Sequence, residues 1–152
     1  MIHLKDKLTE AEKAYLAGIF DGEGCVGYYK RKGSRTKYSY VSVVMVTQSD
    51  ARLMTWLRDK IVFGTIYSRP GKKHVEFHWE TNKKAHVCEF LETIRPYLIL
   101  KGEQVDILLN HFQQEGLHPK HKGTVTPEVV ADREKVYQEL RSLKVINMVP
   151  IQ

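Results

Sequence analysis

Cysteine is nearly missing: Cys25 and Cys88 are the two in 152 residues, and no CxxC spacing joins them. A disulfide framework and a thiolate zinc site are thereby disfavoured, leaving two reduced, partly buried thiols. Long apolar runs are also lacking. No stretch approaches the ~20 residues needed to span a bilayer, and the N-terminus MIHLKDKLTEAEK has no apolar stretch of the signal-peptide kind. These absences point to an intracellular protein, in an organelle or a prokaryotic cytoplasm, with no membrane partner. Acidic residues are in deficit, 18 Asp and Glu against 24 Lys and Arg, for a net charge of +6. That surplus fits nucleic-acid binding but is shared by many proteins that bind none.

What is present is a soluble globular composition, 42% hydrophobic and 28% charged, long enough for one domain with a real core. The positive charge is clustered. Lys30, Arg31, Lys32, Arg35 and Lys37 crowd one short stretch, and Arg69, Lys72 and Lys73 another. Both stretches lie between segments that read as β-strand, so two basic hairpin tips are expected, a pairing that favours a polyanion partner.

Thr9-Glu10-Ala11-Glu12 has the S/T-x-x-E form of a capping box and starts a helix. That helix runs through Leu16 and Phe20 to about Asp21, where Gly22 and Gly24 are expected to stop it. Cys25 to Tyr29 reads as a strand, and Tyr38 to Thr47 (YSYVSVVMVT), dense in β-branched and aromatic residues, as the strongest one. Ser49 or Asp50 caps a helix over Ala51 to Val62. Thr65 to Arg69 and His74 to Glu80 are strands joined by a Pro70-Gly71 turn, and in the latter Val75, Phe77 and Trp79 alternate with Glu76 and His78. Asn82 caps a helix to about Ile94, Pro96 breaks it, and Gly102 to Gln114 is the next. A polar linker (EGLHPKHKGT, 115–124) precedes a last amphipathic helix opened by Pro127. The order predicts an α+β domain of αββαββα type, with a saddle-shaped antiparallel four-stranded sheet, helices on one face, and C-terminal helices added. Residues 1–114 are expected to form the core domain, and 115–152 the linker and helical extension of that domain.

One stretch carries chemistry. In LAGIFDGEG (16–24) an apolar helix ends in two acids set among glycines. Glu23 has a glycine on either side, which lets phosphate oxygens and a hard cation reach its carboxylate. Ala14, Ala17 and Gly18 are small residues at near-helical spacing. They admit the close approach of a second helix, or of the protein's own sheet. His74 and His78 do not form a metal pair, since positions four apart on a strand lie about 13 Å from each other. His118 and His121 sit in the polar linker and read as solvated.

The nine residues resemble the LAGLIDADG motif of the homing endonucleases, with Gly22 in place of alanine and Glu23 in place of aspartate. The resemblance implies that Glu23 binds a magnesium ion with help from the backbone carbonyl of Gly22. Asp21 would be mainly structural and a secondary metal ligand. It continues in Val46-Thr47-Gln48 followed by Arg52, similar to a strand end where a glutamine orients the attacking water and an arginine adds positive charge. Arg95-Pro96-Tyr97-Leu98-Ile99-Leu100-Lys101 is similar to a family segment whose final lysine borders the active site, so Lys101 would offset charge on the pentacoordinate phosphate. Only one motif copy is present, and hydrolysis of two strands needs two sites. A homodimer is therefore implied, its motif helices meeting through Ala14, Ala17 and Gly18, with a roughly palindromic double-stranded DNA target. Base reading is expected from Tyr29, Arg31, Ser39, Val41, Val43, Arg69, His74, Glu76 and His78, and phosphate contact from Lys30, Lys32, Arg35, Lys37, Lys72 and Lys73. The activity implied is site-specific, magnesium-dependent DNA cleavage by an intron-encoded enzyme without an organic cofactor. An RNA-binding maturase and a DNA-binding regulator that has lost cleavage use the same fold. An intein origin is disfavoured because the chain starts at Met1 without flanking splicing segments.

Overall fold

The computed structural model describes residues 2–33, 38–115 and 126–146. Arg35, Lys37, His118 and His121, named above, lie outside the described residues. The chain order is α1 (Leu4–Lys7), α2 (Glu10–Glu23), β1 (Gly24–Lys32), β2 (Tyr38–Gln48), α3 (Ala51–Lys60), β3 (Thr65–Pro70), β4 (Val75–Thr81), α4 (Lys84–Ile94), a 3-10 turn (Arg95–Tyr97), α5 (Gly102–Glu115) and α6 (Pro127–Ile146). None of these helices is long and apolar enough to cross a membrane.

The capping box forms as its spacing predicts. Glu12 N donates to Thr9 Oγ1 at 3.1 Å, and Thr9 N donates to Glu12 Oε2 at 2.9 Å. At its other end α2 runs two residues past Asp21, so Gly22 is helical and Glu23 is the last helical residue. The stop is Gly24, whose N–H bonds the carbonyl of Phe20. A Cβ at Gly24 would lie 2.3 Å from the Phe20 ring and 2.7 Å from its carbonyl oxygen, so a direct passage from helix to strand tolerates no side chain there. One open choice is decided and two smaller expectations are corrected. Asp50, not Ser49, caps α3, accepting from Arg52 N at 2.9 Å, and α3 ends at Lys60. Lys83 rather than Asn82 stands at the start of α4, because β4 continues through Thr81.

The four strands form one antiparallel sheet in the order β1-β2-β4-β3. Register assigns the faces, since side chains alternate along each strand. Val26 pairs with Val44 and Val46 with Trp79, all four fully buried beneath the helices with Phe20, Phe90 and Leu108. The opposite face carries Tyr29 and Arg31 of β1, then Ser39, Val41, Val43 and Thr47 of β2. Glu76, His78 and Glu80 of β4, with Tyr67 and Arg69 of β3, complete it. Strand β2 is apolar on both faces, and its pairing settles which residues turn away from the helices. Burial pushes the Cys88 thiol up to about 11, as expected of an inert core cysteine.

Helix α6 packs on α5 and β1 and buries Leu140. Polar groups tie it down. Glu115 bonds Lys84 at 2.8 Å and also Arg133, while His111 Nε2 meets the Tyr28 hydroxyl at 3.2 Å and the Glu115 carboxylate at 3.5 Å. Glu134 accepts from Tyr40 and from Lys30. Burial would raise the Glu115 pKa, but hydrogen bonds from Lys84 and Arg133 prevail and lower it. Hydrogen bonds from Tyr40, Gln138 and Lys30 hold Glu134 down to about 2, from an ordinary 4.5. His111 lies below its ordinary 6.5 because burial, with Lys84 and Arg133 nearby, outweighs the pull of Glu115.

Acid should therefore loosen α6. Below pH 6.5 the unfolded chain takes up a proton at His111 before the folded one does, so this contribution is full above 6.5 and declines as pH falls. That of Glu134 is full above 4.5 and is lost as pH falls toward 2. Hydrogen exchange of the amides around His111 should accelerate from pH 7 to pH 5, once corrected for intrinsic rates, and that of the α6 amides only below about pH 4.5. Glu115→Gln, which removes the carboxylate charge that Lys84 and Arg133 meet, should lower the unfolding free energy by about 1–3 kcal/mol in urea denaturation. An unchanged value would leave α6 held by apolar packing and by the bonds of Glu134 and Lys144, without help from Glu115.

Candidate active site and sheet surface

The end of α2 brings two acids to different environments. Asp21 turns toward the segment after the 3-10 turn. Its Oδ2 accepts from Ile99 N at 2.8 Å, and its Oδ1 from Leu100 N at 3.2 Å and Lys101 N at 3.0 Å. Its backbone carbonyl accepts from Lys101 Nζ at 2.5 Å. Asp21 is thus a clamp on residues 99–101, with both carboxylate oxygens already engaged, and this arrangement disfavours it as a metal ligand. Glu23 is exposed and, among the described residues, accepts no hydrogen bond.

Glu23 lines a cleft of about 490 Å³ with Tyr15, Ile19, Gln48, Asp50, Arg52, Leu53 and Trp56. Three residues read from two separate stretches of sequence, Glu23 from one and Gln48 and Arg52 from the other, therefore share one cavity. Gln48 uses its side-chain oxygen on Ser49 N at 2.8 Å, so its amide NH₂ is the group it can offer a ligand. Arg52 forks onto Asp50, with Nη2 at 2.7 Å and Nε at 3.1 Å. The guanidinium in turn holds the Asp50 carboxyl down at about 2. Asp50 thus places an additional acid in the cleft, one noticed in the sequence only as a helix cap. Lys101 lies beside Asp21 rather than on the cleft wall. Burial lowers its pKa against the pull of Asp21, Cys25 and Glu23, and nearby Lys144 lowers it further.

The sheet face away from the helices gathers Tyr29, Arg31, Ser39, Val41, Val43, Arg69, Glu76 and His78. His74, Lys72 and Lys73 are exposed in the β3–β4 turn, where Gly71 N donates to His74 O at 3.0 Å. Lys30 and Lys32 differ from expectation. Strand alternation puts both on the helix side, where the Lys30 ammonium bonds Glu134 and lies 4.2 Å from the centre of the Tyr38 ring. His78 is only 8% exposed, bonded to Thr47 Oγ1 at 3.0 Å and stacked on Tyr67 with 5.0 Å between ring centroids. Tyr67 donates to Glu80 at 3.0 Å, and the Arg69 guanidinium lies 5.2 Å from the centre of the Tyr67 ring. Tyr67, Glu80 and Thr47 were not singled out from sequence as residues of this face. Counting by twos from Arg69 and His78 would have found the first two.

Ala17 also differs from expectation. It is fully buried, on the same side of α2 as Leu16 and Phe20, whereas Ala14, Gly18 and Gly22 are exposed at intervals of four. A Cβ at Gly18 or Gly22 would meet nothing within 4 Å.

A family model described as LAGLIDADG endonuclease matches residues 16–109, from the motif through most of α5. No curated protein matches in sequence at a significant level. Among solved structures, the homing endonuclease I-CvuI in complex with a DNA target superposes with a TM-score of 0.74 at 20% identity, over 94% of this chain and 87% of that one. The archaeal intron-encoded homing endonuclease I-Vdi141I, complexed with DNA, gives 0.67 at 13% identity, over 94% and 88%. These likenesses are of fold; the family model spans more than half of the chain and includes Glu23, Gln48, Arg52 and Lys101. By that match, the chain belongs to the LAGLIDADG endonuclease family.

Proposed function

We propose that the protein is a homing endonuclease that cleaves both strands of a long double-stranded DNA site as a homodimer. The observation that carries this reading is the meeting of Glu23, Gln48 and Arg52 in one cleft at the end of a sheet face free of helices among the described residues. Residues 1–114 form the cleaving core and 115–152 extend the same domain. The sheet face lies along the major groove, with Tyr29, Arg31, Arg69, Glu76 and their neighbours toward base edges and Lys72 and Lys73 toward phosphates. The homodimer packs α2 against its copy along Ala14, Gly18 and Gly22, with Ile99 and Leu100, 87% and 68% exposed, beside the same helix end.

Donor chemistry supports a magnesium ion at Glu23. Magnesium takes one or two carboxylates plus phosphate oxygens and keeps several waters. Glu23 offers an unengaged carboxylate, and Gly22 a carbonyl in the last turn of α2, where intrahelical partners run out. The solved I-CvuI complexes with DNA were obtained in the presence of magnesium, with the DNA not cleaved, and of calcium. The ion would polarise the scissile phosphate and supply a more acidic water. The chain's own groups do the rest. The Gln48 amide orients the water in line with phosphorus, Arg52 keeps positive charge beside it, and Lys101 offsets charge on the pentacoordinate phosphate. Asp21 positions Lys101 by holding three consecutive N–H groups, those of residues 99–101.

The test is a selection from a randomised DNA library. With magnesium, the protein should release cleaved fragments that share one roughly palindromic sequence. With calcium, it should retain the same sequence uncut. Binding without cleavage in both ions would replace the nuclease by a DNA-binding regulator.

A further inference from the structure

Helix α6 lies on the helix side of the sheet, yet one of its side chains reaches the sheet's edge. Strand β1 is an edge strand, and Lys144 Nζ extends to it, donating to the Val26 carbonyl at 3.0 Å. It also lies 3.8 Å from Cys25 Sγ. By register Cys25 belongs to the face that carries Tyr29 and Arg31, and it stands two residues beyond Glu23. Lys144 therefore rounds the sheet edge at the end where Glu23, Lys101 and the cleft are found. An ammonium has three donors. One is engaged by a carbonyl and a second faces a weak sulfur acceptor.

We propose that Lys144 is a DNA-backbone contact at the active-site end of the sheet, its remaining donor taking a phosphate oxygen adjoining the scissile one. The inference rests on the nuclease reading above and extends it to a helix beyond the residues that the family model matches. It gives α6 a role besides packing: the ion pairs at Glu115 and Glu134 hold the helix in the position from which Lys144 reaches the edge. The competing account is that Lys144 only covers an unpaired edge carbonyl, a common use of lysine on edge strands.

The experiment compares wild type, Lys144→Met and Lys144→Arg on the DNA recovered from the library. Binding is measured in calcium across a salt series, and single-turnover cleavage in magnesium. Each phosphate contact contributes about 0.9 to the slope of log K against log salt. Lys144→Met should flatten the slope by about 0.9 per subunit and slow cleavage about tenfold, while Lys144→Arg keeps the wild-type slope. Edge covering alone would lower thermal stability in the Met variant and leave the slope unchanged, and that result overturns the proposal. Should the Met variant not fold, Lys144→Gln supplies the same comparison. If wild type cuts nothing, the nuclease reading fails, and the salt slopes still decide the contact at Lys144.

Discussion

Glu23→Gln should bind its DNA in calcium about as tightly as wild type and cleave it in magnesium at least about 10³-fold more slowly. The amide is nearly isosteric with the carboxylate and keeps an oxygen acceptor, but it loses the charge that holds a divalent cation. A metal at a scissile phosphate supplies several kcal/mol of charge stabilisation, and each ~1.36 kcal/mol is a factor of ten in rate. The fold should not register the change, because Glu23 is exposed and its side chain forms no hydrogen bond among the described residues. Single-turnover cleavage with matched binding curves is the measurement. Cleavage within tenfold of wild type would remove Glu23 from the mechanism and turn attention to Asp50, the other acid in the cleft.

Gly18→Leu should give a folded protomer that no longer dimerises and no longer cuts both strands. A glycine inside a helix costs about 0.8–1.0 kcal/mol relative to alanine, and a Cβ at Gly18 meets nothing within 4 Å. The isolated protomer should thus be no less stable than before. A second α2 packed along Ala14, Gly18 and Gly22 would have no room for the leucine. Sedimentation should report a monomer, and plasmid cleavage should fall below detection. Ala17→Leu is the control: Ala17 is fully buried, and overpacking there should cost about 1–3 kcal/mol of stability. A dimer that survives Gly18→Leu with full activity would move the interface away from α2.

The two acids of the motif illustrate why adjacency in sequence does not imply a shared role. One is consumed by three backbone N–H groups from residues 99–101, so replacing it disturbs the placement of Lys101. The other is left for solvent or ligand. No local rule separates them, because the separating partners lie 78 to 80 residues away.

The helix with its capping box, the succession of strands and the acidic helix end were legible in the sequence because each rests on local physics. A side-chain cap spans three residues, a strand alternates by two, and an apolar run ending in glycines stops where backbone must pass another atom closely. Folding was needed for whatever depends on a partner far along the chain. The YVSVVMV stretch is apolar on both sides, and only pairing with β1 and β4 turned Val41 and Val43 away from the helices. Lys30 reads as one cation in a basic run until Glu134, 104 residues later, meets it. Lys144 has no sequence signal at all; the edge of β1 gives it a position. Periodicity assigns a residue to a face of its own element, and the packing of one element on another then decides whether that face meets core, solvent or ligand.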